Sequence, residues 1–186
     1  MDKIKAFEYL ILKLVEWYGD NNDMGTLKSL KLLWFVSVVE ANKDSKDSLI
    51  DKVFDNFHAM PYGHVEKDIY EAIRGKKIKN IELKSNTANI LNKDRILETD
   101  KEIRELIDKS IEKFKILAPE YINLLSFDLV ILSQRWYSWK YYYKKARQKD
   151  KFSEKIPNEI IKNEFKYYET YNENVIYRLL CGRTIP

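Results

Sequence analysis

Ile4, Phe7, Leu10, Ile11, Leu14 and Trp17 recur at three- and four-residue spacing, with Lys and Glu between them. That period predicts an amphipathic helix, stopped by the polar run GDNND. Thr26 offers a cap for a second helix, in which Leu27, Leu30, Leu33, Trp34, Val36, Val38 and Val39 cover more than one face. A helix that is apolar on several faces has to be enclosed, so this is expected to be the most buried element. A polar loop over 42–47 leads into SLIDKVFDNFHAMPYGH, where Val53, Phe57 and Ala59 alternate with polar neighbours. The alternation predicts a short extended segment, closed by a turn at Pro61 and Gly63. Residues 65–74 return to helical spacing, with Ile69, Tyr70 and Ile73 inward and Gly75 near the C-cap.

Residues 76–99 are polar and irregular, with Ile78, Ile81 and Leu83 marking a short strand or hairpin. Asp100 caps a strongly periodic helix in which Ile103, Leu106, Ile107, Ile111, Phe114 and Leu117 share a face, ending near Pro119. Tyr121–Leu125 either extends it or forms a separate turn. Ser126 opens a further helix, and Pro157 stands near the first turn of another that carries Ile160, Ile161 and Phe165. The last stretch, NENVIYRLLCG, reads as a short terminal helix. The expected fold is mainly α: a compact single-domain helical bundle with a small β element, over 1–170, followed by a helical tail over 171–186.

Composition agrees with that picture. The 186 residues are 45% apolar, 13% aromatic and 33% charged, with five Gly and four Pro, as in a folded domain with few turns rather than a disordered chain. The charge of +4 comes from 33 basic and 29 acidic residues, far from the basic excess of a dedicated nucleic-acid binder. One cysteine, Cys181, suits a reducing compartment. No apolar run reaches about 18 residues, and Lys and Glu break the opening MDKIKAFEYLILKLVEWY where a signal peptide would be apolar. A cytoplasmic protein without a membrane span is expected.

One stretch stands apart. RWYSWKYYYKKARQK, residues 135–149, holds two Trp, four Tyr and six basic residues. As one continuous helix it would gather Leu132, Trp136, Trp139, Tyr143 and Ala146 within a stripe about 80° wide. That stripe reads as packing, with Lys140, Lys144 and Arg147 at its edge. Tyr137, Tyr141 and Tyr142 point elsewhere, free for a protein partner or, with the cations, for single-stranded nucleic acid.

Reactive groups are few. His58 and His64 lie six positions apart across a Pro-Gly turn, near Glu66 and Asp68. Two histidines and a carboxylate on a turn fall short of a metal-ligand pattern, and the expectation is a strand at His58 and a helix start at His64. Cys181, on an apolar segment without a neighbouring histidine, reads as an inert thiol. No phosphate-binding glycine loop, nucleophile elbow or zinc-peptidase motif is present. Neither catalysis nor a cofactor or metal is expected.

Three segments, LKSLKLLWFVSVVEA, FDNFHAMPYGHVEKDIY and FDLVILSQRWYSWKYYYKKA followed by IPNEIIKNEF, resemble in order and spacing the Panacea domain, the SocA-like antitoxin domain of bacteria, phages and mobile elements. Leu30, Lys31, Leu32, Leu33, Trp34 and Phe35 match its L-x-K-L-L-Y-F helix, with Trp for the usual Tyr. Tyr62 and Gly63 match its Y-G-P turn, with His64 for Pro. Leu132 and Ser133 match L-S-H, with Gln134 for His, and Trp139 takes the place of the later Trp. Ile156, Pro157, Asn158 and Glu159 match I-P-N-E. The resemblance spans about 24–168 and implies a helical domain with a small sheet that binds a cognate toxin protein, encoded beside it, and holds it inactive. In at least one case such a domain delivers its toxin to a protease. It implies structural roles for Leu33, Trp34, Phe35, Gly63, Trp139 and Pro157. Candidate partner contacts are Tyr62, His64, Arg135, Tyr137, Tyr141 and Tyr142, anchors of the kind that bury much area at small entropic loss. A membrane is not expected as partner. The alternative is a nucleic-acid-binding regulator that uses 135–149.

Overall fold

The computed structural model describes residues 2–168. Helix α1 (Lys3–Tyr18) begins where the Asp2 carboxylate accepts from the backbone N–H groups of Ile4 and Lys5, satisfying two of the donors a helix start leaves open. Helix α2 (Thr26–Val38) is buried at every position from Lys28 to Val38. Its cap is Gly25, not Thr26, whose hydroxyl instead donates to the Lys84 carbonyl at 3.2 Å. The backbone of Ser85 comes so close that a Cβ on Gly25 would lie 1.9 Å from the Ser85 oxygen. Only glycine fits there.

Next come α3 (Leu49–Lys52), β1 (Phe57–Met60), β2 (Gly63–Glu66) and α4 (Lys67–Arg74). The 65–74 segment is therefore helical only from Lys67, and His64 lies in a strand. All four β2 residues are buried and pair antiparallel with β1, Ala59 opposite His64 and Met60 opposite Gly63. Pairing overrides the local helical spacing. The polar stretch forms a second hairpin, β3 (Ile81–Leu83) with β4 (Ala88–Ile90), then α5 (Lys93–Leu97). The long periodic helix is α6 (Lys101–Leu117), capped by Asp100, and a 3-10 turn spans Pro119–Asn123.

The late region differs most from expectation. Helix α7 (Ser126–Gln134) stops, Trp136 takes extended dihedrals (φ −69°, ψ 139°), and α8 (Tyr137–Gln148) starts on a new axis. Leu132 and Ala146 are therefore not on one wheel. Strand β5 (Glu154–Lys155) joins the other edge of β1, completing the order β2-β1-β5. Helix α9 (Asn158–Asn163) follows Pro157 and is tied back when the Asn158 amide donates to the Ile50 carbonyl at 3.0 Å. The described residues form a mainly α domain with a small antiparallel sheet. The 171–186 tail and Cys181 lie outside them.

Candidate partner-docking surface

The notch between α7 and α8 holds the β1–β2 turn. The Gln134 amide donates to the Pro61 carbonyl at 2.9 Å, and the Trp139 indole N–H donates to the Met60 carbonyl at 2.8 Å. Gly63 closes the turn with φ +90°, where a side chain is strained. A Cβ there would meet the Ser133 Oγ at 2.6 Å and the Lys31 Nζ at 3.2 Å. The Met60 and Pro61 carbonyls of the turn are thus each held by a side chain of the notch, and the side chain the turn presents outward is Tyr62.

Tyr62 is 57% exposed and stands edge-on to Phe127, 63% exposed, at 6.2 Å between ring centres. Leu125, one residue before α7, is exposed as well. On α8, Tyr137 and Tyr141 are 58% and 50% exposed and stack on each other at 5.7 Å, one helical turn apart. Trp139 and Tyr143 stack at 4.8 Å, half-buried against the core. The surface therefore carries two pairs of outward rings on backbone that is held in place.

Two candidate contacts are corrected. Tyr142 is 8% exposed, because the new axis of α8 turns it inward beside Ser138 and Ala146. His64 is fully buried, its ring stacked on Trp34 at 3.6 Å and 2°. Its Nδ1 pairs with the Ser133 hydroxyl at 2.9 Å and its Nε2 with the Ser138 hydroxyl at 2.8 Å. Burial, then the nearby Lys31 and Lys166, hold its pKa well below the ordinary range, so the ring is uncharged at neutral pH. Arg135 sits half-buried at the C-cap of α7. Of the positions given structural roles, Leu33, Trp34, Phe35 and Gly63 are buried, Trp139 is half-buried and Pro157 is exposed. Phe127 went unnoticed in the sequence. The one signal for it was the run FDLVIL, apolar at every position but Asp128, more than a helix with one buried face requires.

The register also separates the histidines. His58 is opposite Val65 and His64 opposite Ala59, and successive side chains alternate between faces, so the two rings point to opposite sides of the hairpin. The cluster of Asp55, Glu66 and Asp68 already holds a cation, since the Lys3 ammonium lies 2.5, 2.8 and 2.5 Å from the three carboxylates. At the end of α8 the ratio is reversed, and one carboxylate offsets one of three lysine charges. Lys145, Lys149 and Lys151 all approach the Glu154 carboxylate, at 3.7, 3.4 and 4.0 Å. Among the described residues, no helix is long and apolar enough to cross a membrane. No protein-family model, curated protein or solved structure matches the chain.

Proposed function

We propose that the chain is an antitoxin-type domain that binds a cognate toxin protein and holds it inactive by direct, stoichiometric contact in the cytoplasm. The observation that carries this reading is the pair of exposed ring pairs, Tyr62 with Phe127 and Tyr137 with Tyr141, on pinned backbone. Aromatic side chains held in place lose little entropy on binding and bury much area, which is what anchors a protein interface. The ordered resemblance of residues 24–168 to the Panacea domain points the same way. Delivery of the captured toxin to a protease is compatible with this surface, because occupying these rings requires no chemistry from the chain. The nucleic-acid alternative has less behind it: the net charge is only +4, and Glu154 offsets one of the three lysine charges gathered near it.

The test is co-expression. The product of the neighbouring reading frame is expressed alone and with this protein in a bacterial host, and growth is scored. The reading expects arrest by the neighbour alone and recovery with the pair, with complex formation that changes little between low and high salt. Binding that collapses as salt rises would favour phosphate contacts instead.

A further inference from the structure

After α9 the chain crosses the aromatic core as an irregular strap, residues 164–168. The Tyr168 hydroxyl donates to the Phe35 carbonyl at 2.8 Å, and its ring meets Phe114 and Trp136 edge-on at 6.0 and 5.9 Å. Tyr167 meets Trp136 at 6.3 Å, and its carbonyl accepts from the Tyr121 hydroxyl at 3.5 Å. Lys166 lies over the Trp136 ring at 5.7 Å and donates to the Ile161 carbonyl. The strap is what covers Trp136.

It seats at a cost. One oxygen of Glu164, Oε1, is buried without a hydrogen-bond partner, and so is the Trp136 indole nitrogen beneath the strap. The Lys166 amine, which burial holds down to about 8 against the opposing attraction of Glu164, finds a carbonyl and a ring face, with the Glu164 carboxylate beyond ion-pair distance. Buried polar atoms left unpaired oppose the gain from covering the tryptophan. Lacking regular backbone hydrogen bonds and holding these unpaired atoms, the strap is the segment of this region expected to open first.

The other oxygen of Glu164 starts a chain of hydrogen bonds. Oε2 accepts from the Ser138 N–H at 2.9 Å, the Ser138 hydroxyl pairs with His64 Nε2, and His64 Nδ1 pairs with the Ser133 hydroxyl, which also accepts from the His64 N–H at 3.0 Å. Lys31, fully buried in α2, donates to the His64 carbonyl. The chain thus joins the strap to the start of α8 and to the β1–β2 turn. Ser138 is next to Tyr137, and His64 is two residues from Tyr62.

We propose that residues 164–168 are a latch that regulates the docking surface, holding Tyr62 and Tyr137 in their presenting positions through Glu164, Ser138 and His64. Seated, the latch fixes the first turn of α8 and the hairpin turn together. Released, it withdraws the acceptor from the Ser138 N–H, uncovers Trp136 and leaves both turns looser, so the rings lose the preorganisation that favours binding. By reciprocity, a partner that binds the presenting surface must also strengthen the seating of the latch. This inference rests on the reading of Tyr62 and Tyr137 as partner contacts, but the latch itself is measurable without any partner.

Amide hydrogen exchange of the full chain, read residue by residue, is the test. Tyr168→Ala removes one anchor of the strap at a distance from Ser138 and is expected to speed exchange of the Ser138 and His64 amides about tenfold, leaving α1 amides unchanged. Lys166→Met keeps cover over Trp136, removes the buried amine, and is expected to slow the same two amides. The proposal is overturned if both variants exchange at Ser138 and His64 like the wild type, or if Tyr168→Ala merely speeds every amide alike while Lys166→Met slows none. With the purified product of the neighbouring reading frame added, wild-type exchange at Ser138 should slow further. Coupling in the free protein without that slowing would leave the strap a local latch and overturn its regulatory role, whereas loss of toxin binding altogether would count against the docking surface instead.

Discussion

Trp136 and Tyr137 are neighbours in the chain and opposites in the fold. Trp136 is fully enclosed, with Trp34, Tyr167 and Tyr168 meeting its ring edge-on and Lys166 lying over it. Tyr137 is more than half exposed and touches another exposed ring. The same division runs along α8, where Ser138, Tyr142 and Ala146 face in while Tyr137 and Tyr141 face out. One aromatic-rich stretch therefore does two jobs: its inner rings fix the notch between α7 and α8, and its outer rings are displayed by that notch. Composition alone cannot assign a ring to either job, because the helix axis decides it, and the axis is reset at Trp136.

The comparison predicts unequal effects of substitution. Trp136→Ala empties the centre of the ring cluster and should destabilise the protein by about 3–5 kcal/mol, seen as a large drop in the urea midpoint. Gly63→Ala follows, since its Cβ would collide with Ser133 at a positive φ. A loss of about 2 kcal/mol is expected, and a normal thermal midpoint would show that the turn is not pinned as described. Lys31→Met tests the polar floor of the notch through pH. Burial holds the Lys31 amine down to about 7, from an ordinary 10.5. The unfolded chain therefore takes up this proton at higher pH than the folded one, and stability falls as pH drops from about 10 to 7. Lys31→Met should raise the thermal midpoint at pH 7, with a gain that shrinks toward pH 10. A pH-independent difference would mean that the amine is charged in the fold. Smallest of all, Tyr137→Ala together with Tyr141→Ala should leave stability within about 0.5 kcal/mol of wild type, because both rings already face water.

Much of the fold was legible in the sequence where one element settles its own form. The Asp100 cap and the six apolar positions of α6 announce that helix, and the many-sided apolar surface of α2 announces its burial. The hairpin of Ile81 and Leu83 showed in a polar stretch as isolated apolar residues. What stayed hidden depends on distant partners. His64 is enclosed by Ser133 and Ser138, 69 and 74 positions away, and no local pattern predicts that pairing. Tyr142 turns inward because α8 starts afresh at Trp136 in the middle of letters that keep a helical period. Tyr137 and Tyr141 could be singled out by composition, along with the buried Tyr142, and Tyr62 by the motif of its turn, whereas the pairing of Tyr62 with Phe127 requires the α7–α8 notch.

The central claim is that the outward rings, and not the inner ones, capture the partner. The most direct measurement is growth rescue by a Tyr62→Ala, Tyr137→Ala, Tyr141→Ala variant against the product of the neighbouring reading frame, with its unfolding midpoint recorded alongside. The account predicts a protein as stable as wild type that no longer restores growth, with affinity reduced by about thirtyfold or more, the loss of about 2 kcal/mol expected when interface anchors are truncated. Full rescue by a stably folded triple variant would contradict it.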